Sequence, residues 1–404
     1  MSDIGGRILQ YKTPDGVPVD LGAEFVHGSK SNILFDMAQE QQWPMHHVFD
    51  IDDPEDMGQQ AVVLGGKLSY FDEQVVQDAL EVLEWLRGQK LDDDFQDTSV
   101  YHYLLQHCPK ASRASLAIVD CILGATWGAS LTTLGVKETI SDENNWEHGS
   151  QNYVIQGGFR RVIDHLKQGL NIKLGWRASS IDYSSAKVVV TSRRGASLEC
   201  TCVLITAPLS ILKDGDIQFT PELPAPKRSA IRTMRMGAAG KVVCTFTTAF
   251  WPPALHMLLT DHNIFTQIWM YGQAQDQGYH VVTGYITGPG LALAEGQLRA
   301  TVIRWFVEYL DLIFGWNGVQ VASDSFHRGM VHSWAMHPGA RGCYAYPGVG
   351  TTGCREALAR PVADRVFFAG EAVNLKSCGN VSSALESGHH AAEAIAASFW
   401  RARL

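Results

Sequence analysis

The chain has 404 residues, 46% of them hydrophobic and 19% charged, with a formal net charge of -9 at pH 7. That length exceeds what one compact core fills and the apolar content excludes a disordered polymer, so two intertwined domains are expected. A net negative chain lacks the Lys and Arg excess that neutralises phosphates, which argues against nucleic acid and suits a cationic small molecule. Eight cysteines, none in a CxxC pair or in zinc-like spacing with histidine, read as reduced thiols in a non-secreted protein and leave no metal site. No run of about twenty apolar residues suggests a membrane span, and the polar start Met1 to Gly6 does not read as a signal peptide.

In chain order, Gly5-Gly6-Arg7-Ile8 leads to a turn at Thr13-Pro14-Asp15-Gly16 between two extended runs, which predicts a hairpin. Residues 72 to 90 read as a helix with Val75, Val76, Ala79, Val82, Leu83 and Leu86 on one side, and the acidic residues 92 to 94 read as a solvated connection. After a Gly-Gly turn at 157 to 158, Phe159 to Leu166 is predicted helical. Lys187 to Thr191, a turn at Arg194-Gly195 and Cys202 to Thr206 are predicted to form a β-meander. A strand is expected at Lys241 to Thr245, a helix at Leu298 to Phe314, a buried strand at Arg365 to Ala369 and an alanine-rich helix at Val381 to Phe399.

The closing segment has a physical purpose. A hydrophobic strand ending in Ala369-Gly370-Glu371, a short loop, and a helix starting near Asn380-Val381 set free N–H groups and a positive dipole end against an electron-rich ligand. The run Phe367-Phe368-Ala369-Gly370-Glu371-Ala372, joined to Ser383-Ala384-Leu385-Glu386-Ser387-Gly388, resembles the C-terminal signature of the flavin-dependent amine oxidases. Other stretches keep that family's order: Gly5-Gly6-Arg7-Ile8, Val19 to Gly28, Gln156 to Phe159, Ala207 to Leu212, Met236 to Val242, and Trp334-Ala335-Met336-His337-Pro338 running on to Gly342-Cys343-Tyr344-Ala345-Tyr346. The likeness is to the polyamine oxidase branch.

The resemblance implies an α/β fold: a discontinuous FAD/NAD(P)-binding, Rossmann-like domain of the glutathione reductase type, truncated at its N-terminus, with a mixed α+β substrate-binding domain. Residues 1–45, 145–212 and 351–404 are expected in the first, and 46–144 and 213–350 in the second. It implies FAD as cofactor, an amine as substrate and molecular oxygen as co-substrate. Hydride passes from the α-carbon of the neutral amine to flavin N5, the imine hydrolyses, and reoxidation yields hydrogen peroxide. Spermine, spermidine or their acetylated forms are the expected substrates.

Residue by residue, Lys241 matches the lysine that holds a water against flavin N5; a lysine opening an apolar strand is expected to be partly buried. Tyr344 and Trp334 match the aromatic walls of the cleft, where ring faces attract an alkylammonium. His27 lies where polyamine oxidases carry a polar residue at the cleft mouth. Gly5, Gly6 and Arg7 are expected along the phosphate and ribityl path, Gly370 and Glu371 at the ribityl chain, Asn380 and Val381 at the pyrimidine edge, and Ala178 at the adenine. Cys343 stands where monoamine oxidases bond the flavin covalently; a free buried thiol is expected, with attachment as the alternative.

The family also opens with a strand, a GxGxxG turn and a helix that grip the pyrophosphate, and this unit is not found ahead of Gly5. Three accounts stand: a truncated gene model, taken first; a partner chain that supplies the unit; or a protein that has given up FAD and serves as a non-catalytic assembly subunit. A flavin enzyme acting on monoamines or methyl-lysine is a further alternative, although residues 72 to 150 leave no room for the long helical hairpin of the lysine demethylases. The final Ala402-Arg403-Leu404 has the small, basic, leucine form of a peroxisomal address.

Overall fold

The computed structural model describes residues 3–50, 60–69, 73–92, 94–270 and 278–401. The expected Ala402-Arg403-Leu404 address, Asp72 and Asp93 lie outside them. No helix among the described residues is long and apolar enough to cross a membrane.

A seven-stranded sheet carries the site. Its order is Phe326–Ser333, Ala239–Phe246, His280–Thr287, Phe265–Trp269, Met257–Thr260, Gln60–Leu64, Lys67–Ser69. Ala239–Phe246 is flanked on both edges and buried along its whole length. Side chains alternate across a strand, and this one uses both faces. Val242, Cys244 and Phe246 pack with Val302, Phe306 and Leu310 of the helix Arg299–Phe314. Each such side chain withdrawn from water contributes about 1.5 to 3 kcal/mol. Val243, on the opposite face, meets Val17, Val19 and Leu21. The same alternation puts Lys241 on the Val243 face, so the strand's charged side chain is directed at residues 20 to 24.

Those residues arrive through the hairpin Gln10–Lys12 with Pro18–Asp20, closed by a glycine at positive φ, Gly16. Two residues on, Gly22 touches the backbone of Arg7: a β-carbon there would lie 1.8 Å from the Arg7 carbonyl oxygen, so no larger residue fits. The chain continues into Val26–His27, which joins Gln151–Ile155 and Met45–Asp50 in a three-stranded antiparallel sheet.

The helix Gln74–Arg87 buries Val76, Ala79, Val82, Leu83 and Leu86, the three-and-four spacing of a one-faced helix, and ends at Gly88. The helices expected at Phe159 to Leu166, Leu298 to Phe314 and Val381 to Phe399 are Arg160–Leu166, Arg299–Phe314 and Val381–Arg401.

The predicted meander is corrected. Val188–Ser192 does turn back at Arg194-Gly195, but into Ser197–Cys200, which pairs with it antiparallel. Val203–Ile205 leaves that sheet and pairs in parallel with Val366–Phe368. Ser197–Cys200 is largely exposed and polar, which suits an outer strand, whereas the apolar Val203-Leu204-Ile205 is drawn to the buried Val366-Phe367-Phe368. Both strands of the parallel pair run, at their carboxyl ends, into loops that border one large cavity: Thr206-Ala207-Pro208 and Ala369-Gly370-Glu371. The crevice outside the carboxyl ends of parallel strands is where α/β folds bind ligands.

Candidate active site

The cavity measures about 1490 Å³, larger than the 300 to 1,000 Å³ or so of ordinary ligand pockets. Segments separated by hundreds of residues line it. All thirteen residues expected at the site border this one space: Gly5, Gly6, Arg7, His27, Ala178 and Lys241 from the first part of the chain, and Trp334, Cys343, Tyr344, Gly370, Glu371, Asn380 and Val381 from the last.

Lys241 is 3% exposed, which excludes a surface role. Its Nζ donates to the Asp20 carbonyl at 2.9 Å, the Gly22 carbonyl at 2.8 Å and Glu24 Oε2 at 2.6 Å. An ammonium has three N–H donors, and all three are matched by protein oxygens. It also stands 5.0 Å from the centre of the Trp269 ring. The Asp20 carboxyl accepts from the Phe159 amide and the Gln10 side chain, both at 3.2 Å. Burial, reinforced by the neighbouring Glu24, pushes its pKa up to about 7 against the pull of Lys241.

Tyr344 and Trp334 are anchored by their polar ends. Trp334 donates its indole N–H to the Leu21 carbonyl at 2.9 Å. The Tyr344 hydroxyl reaches the Ala125 carbonyl at 3.4 Å and shares a 2.6 Å hydrogen bond with the Tyr285 hydroxyl. Tyr285 sits directly opposite Lys241 on the adjacent strand and stacks on Trp269. His27 opens onto the cavity, with Nδ1 2.6 Å from Asn152 Oδ1. Because Asn152 Nδ2 donates to the Ser150 carbonyl, its oxygen is the atom facing His27. His27 therefore donates from Nδ1 and keeps Nε2 as an acceptor. Although its side chain is open to the cavity, desolvation by the surrounding protein lowers its pKa from the usual imidazole value, and the Asn152 bond acts in the opposite direction.

Also on the cavity wall, Arg7 ties three segments together, donating from Nη1 to Glu371 Oε1 and to the Cys343 carbonyl, both at 2.7 Å. Glu371 also accepts from the amides of Ala345 and Gly379, each at 3.1 Å. Its carboxylate is thus largely committed to the protein, more so than its expected place at a ribityl chain implies. Cys343 is packed against Gly128 and Gly237, and burial pushes its thiol up to about 12, which keeps it protonated and a poor nucleophile.

The open backbone here fits a flavin. Gly6 and Gly370, at φ of +58° and +124°, have nothing within 4 Å of where a side chain would begin, so the main chain itself faces space. Asn380 accepts from the Ser383 amide at 2.8 Å and caps the helix Val381–Arg401, whose start borders the cavity. Trp176, Arg177 and Ala178 also line the cavity.

A GxGxxG string does occur, at Gly348-Val349-Gly350-Thr351-Thr352-Gly353 before the helix Cys354–Ala359, and the sequence reading missed it. It is not a phosphate cradle: none of its residues borders the cavity, and the Gly350 amide already donates to Asp97 at 2.7 Å.

A family model described as flavin containing amine oxidoreductase matches residues 2–396. The chain belongs to that family, whose cofactor is FAD. Among relatives, it is 26% identical over 420 residues to Polyamine oxidase 2 of Arabidopsis thaliana, covering 96% of this chain and 80% of that one. It is 30% identical over 259 residues to Lysine-specific histone demethylase 1 homolog 1 of Oryza sativa subsp. japonica, covering 63% of this chain and 30% of that protein. The chain therefore spans less than a third of the demethylase homologue's length. Cyclohexylamine oxidase from Brevibacterium oxydans IH-35A superposes with a TM-score of 0.82 at 18% identity, over 98% of this chain and 92% of that one, a likeness of fold.

Proposed function

We propose that the chain oxidises amines with FAD as cofactor, and that polyamines (spermine, spermidine or acetylated forms) are the first substrates to try. One observation carries the reading. The expected flavin-side residues and the expected substrate-side residues, drawn from segments far apart in the sequence, border a single cavity. Bound FAD would supply the two-electron acceptor, and oxygen would restore it with release of hydrogen peroxide.

The protein's own groups have definable tasks. Gly5, Gly6, Arg7, Gly370 and the capped helix start at Asn380-Val381 would hold the flavin and ribityl portion, and Ala178 the adenine. Tyr344 and Trp334, fixed through their polar ends, present ring faces that exclude water from the reacting carbon. A cavity walled this way disfavours an unpaired ammonium and so favours the neutral amine, the form that can release hydride. Lys241 is the group placed to hold a water at the flavin edge. Two of its three acceptors are backbone carbonyls, so Glu24 is the partner that must yield for a water to enter.

The helices between 74 and 145 are short and packed into the main core, which supports a small amine over a histone tail. Ala402-Arg403-Leu404 supports peroxisomal placement, where peroxide is destroyed. The test is peroxide release from FAD-loaded protein across a panel of monoamines, polyamines, acetylated polyamines and a methyl-lysine peptide. Polyamine oxidation supports the proposal; turnover of the peptide alone moves the protein to the demethylases, and turnover of none removes the amine oxidase activity.

A further inference from the structure

The strand Phe265–Trp269 pairs irregularly with His280–Thr287 at one place: Phe265 stands opposite Ile286 and Gln267 opposite Tyr285, so Thr266 is an extra residue. Such a bulge re-aims the side chains beyond it, because side chains alternate along a strand. Phe265 packs with Val242 and Phe306 in the core behind the sheet. In a regular strand Gln267, two residues on, would face the same way. The bulge turns it to the other face, where it borders the cavity together with Tyr285 and Lys241.

The registers set these residues in one row across four strands: Lys241 opposite Tyr285, Tyr285 opposite Gln267, Gln267 opposite Leu259. Neighbouring strands lie about 4.7 to 4.9 Å apart, so the backbone of Gln267 is about 9 to 10 Å across the sheet from that of Lys241. The polar groups of the row differ in what is left to them. Lys241 has its donors matched by Asp20, Gly22 and Glu24, and the Tyr285 hydroxyl is bonded to Tyr344. Gln267 donates from Nε2 to the Cys121 carbonyl at 3.0 Å, which fixes the amide's orientation and leaves Oε1 as its free end. That oxygen has no partner among the described residues and keeps access to the cavity. On one side of it stands the Tyr285 ring and on the other Leu259, so a chain laid along the row meets apolar surface, one acceptor, and apolar surface again.

We infer that Gln267 determines which chains the cavity accepts: its Oε1 receives an N–H carried within the substrate's chain, on a secondary nitrogen set apart from the amine that is oxidised. An all-carbon chain of the same length would displace water from the amide oxygen and leave it unmatched, and a site built to hydrogen-bond a polar group discriminates against the analogue that lacks it. This rests on the amine oxidase reading above and assigns the choice between chains to one residue.

The test uses N-propylputrescine and n-octylamine, which match in length and differ by one N–H in place of a methylene. Binding to the FAD-loaded full chain is measured by calorimetry with the flavin reduced beforehand, so that no turnover intervenes, in the wild type, Gln267→Met and Gln267→Glu. The wild type is expected to bind N-propylputrescine about three- to ten-fold more tightly, the worth of one hydrogen bond. Gln267→Met should abolish the difference and Gln267→Glu, which keeps an acceptor oxygen, should retain it; a merely structural role would move both amines together. Equal or tighter binding of n-octylamine by the wild type overturns the assignment, whether or not the variants fold. So does an unchanged difference in folded Gln267→Met. Should neither amine bleach the oxidised flavin while the binding difference and its loss in Gln267→Met are seen, the role of Gln267 stands and the amine oxidase reading falls.

Discussion

Lys241 and Glu24 meet at 2.6 Å with side chains only 4% and 6% exposed, so each is the charge that makes the other's burial tolerable. Removing one partner of a buried pair strands the other and costs about 3 to 5 kcal/mol, whereas removing both charges relieves the strain of desolvation. Lys241→Met should therefore lower stability in urea by about that amount, and Lys241→Met with Glu24→Gln by clearly less. A double variant that loses the sum of the Lys241→Met and Glu24→Gln losses would show that the pair is not energetically coupled.

The same pair bears on chemistry. If Glu24 must yield before Lys241 can hold a water, Glu24→Gln should change the rate of flavin reoxidation by oxygen more than the rate of anaerobic reduction by amine. Stopped-flow absorbance separates the two, and Lys241→Met should slow reoxidation by an order of magnitude or more. Unaltered rates of both steps in Lys241→Met would remove the lysine from the mechanism.

Asp20 makes stability depend on pH. Its folded pKa is raised to about 7 from an ordinary 3.8, mainly by burial and next by Glu24, so the folded state retains a proton that the unfolded chain has released. The stabilisation is complete below about pH 4 and is lost as pH rises through about 7, a swing on the order of 4 kcal/mol at most. Asp20→Asn should flatten the urea midpoint between these limits relative to wild type. A wild-type midpoint that rises over the same window, with no difference from Asp20→Asn, contradicts the assignment.

Tyr285→Phe removes the hydroxyl that is hydrogen-bonded to Tyr344 while leaving the ring stacked on Trp269. The stability loss should be about 0.5 to 1.5 kcal/mol. Turnover should fall several-fold with the flavin spectrum retained, because the cleft wall loosens while the cofactor contacts remain. A drop in KM alone would contradict that positioning role.

His27 donates from Nδ1 to Asn152 and leaves Nε2 as an acceptor toward the cavity. His27→Ala should raise KM for spermidine about three- to ten-fold with kcat nearly unchanged, as expected for a uniform binding contact. A loss confined to kcat would place the residue at the reacting carbon instead.

Much of this site was legible through the family resemblance. Lys241, Gly370-Glu371 and Gly5-Gly6-Arg7 were located by the motifs that resemble the family's in order, with the strand patterns around Lys241 and Gly370 agreeing. Their partners were not legible. Glu24 and Asp20 lie within a quoted motif, yet nothing local says that strand alternation will aim Lys241 between them. Tyr285 becomes visible only through the register that sets it opposite Lys241. The meander failed for a similar reason: Val203-Leu204-Ile205 is as good a meander strand as a parallel one until its distant partner at Val366 is known.

The most direct measurement is the visible spectrum of the purified protein after FAD is added and excess removed, followed anaerobically by an amine. Distant segments converging on a flavin slot predict retained flavin bands that bleach with spermidine and return with oxygen. Protein that stays colourless, with a melting temperature unmoved by FAD, would contradict it.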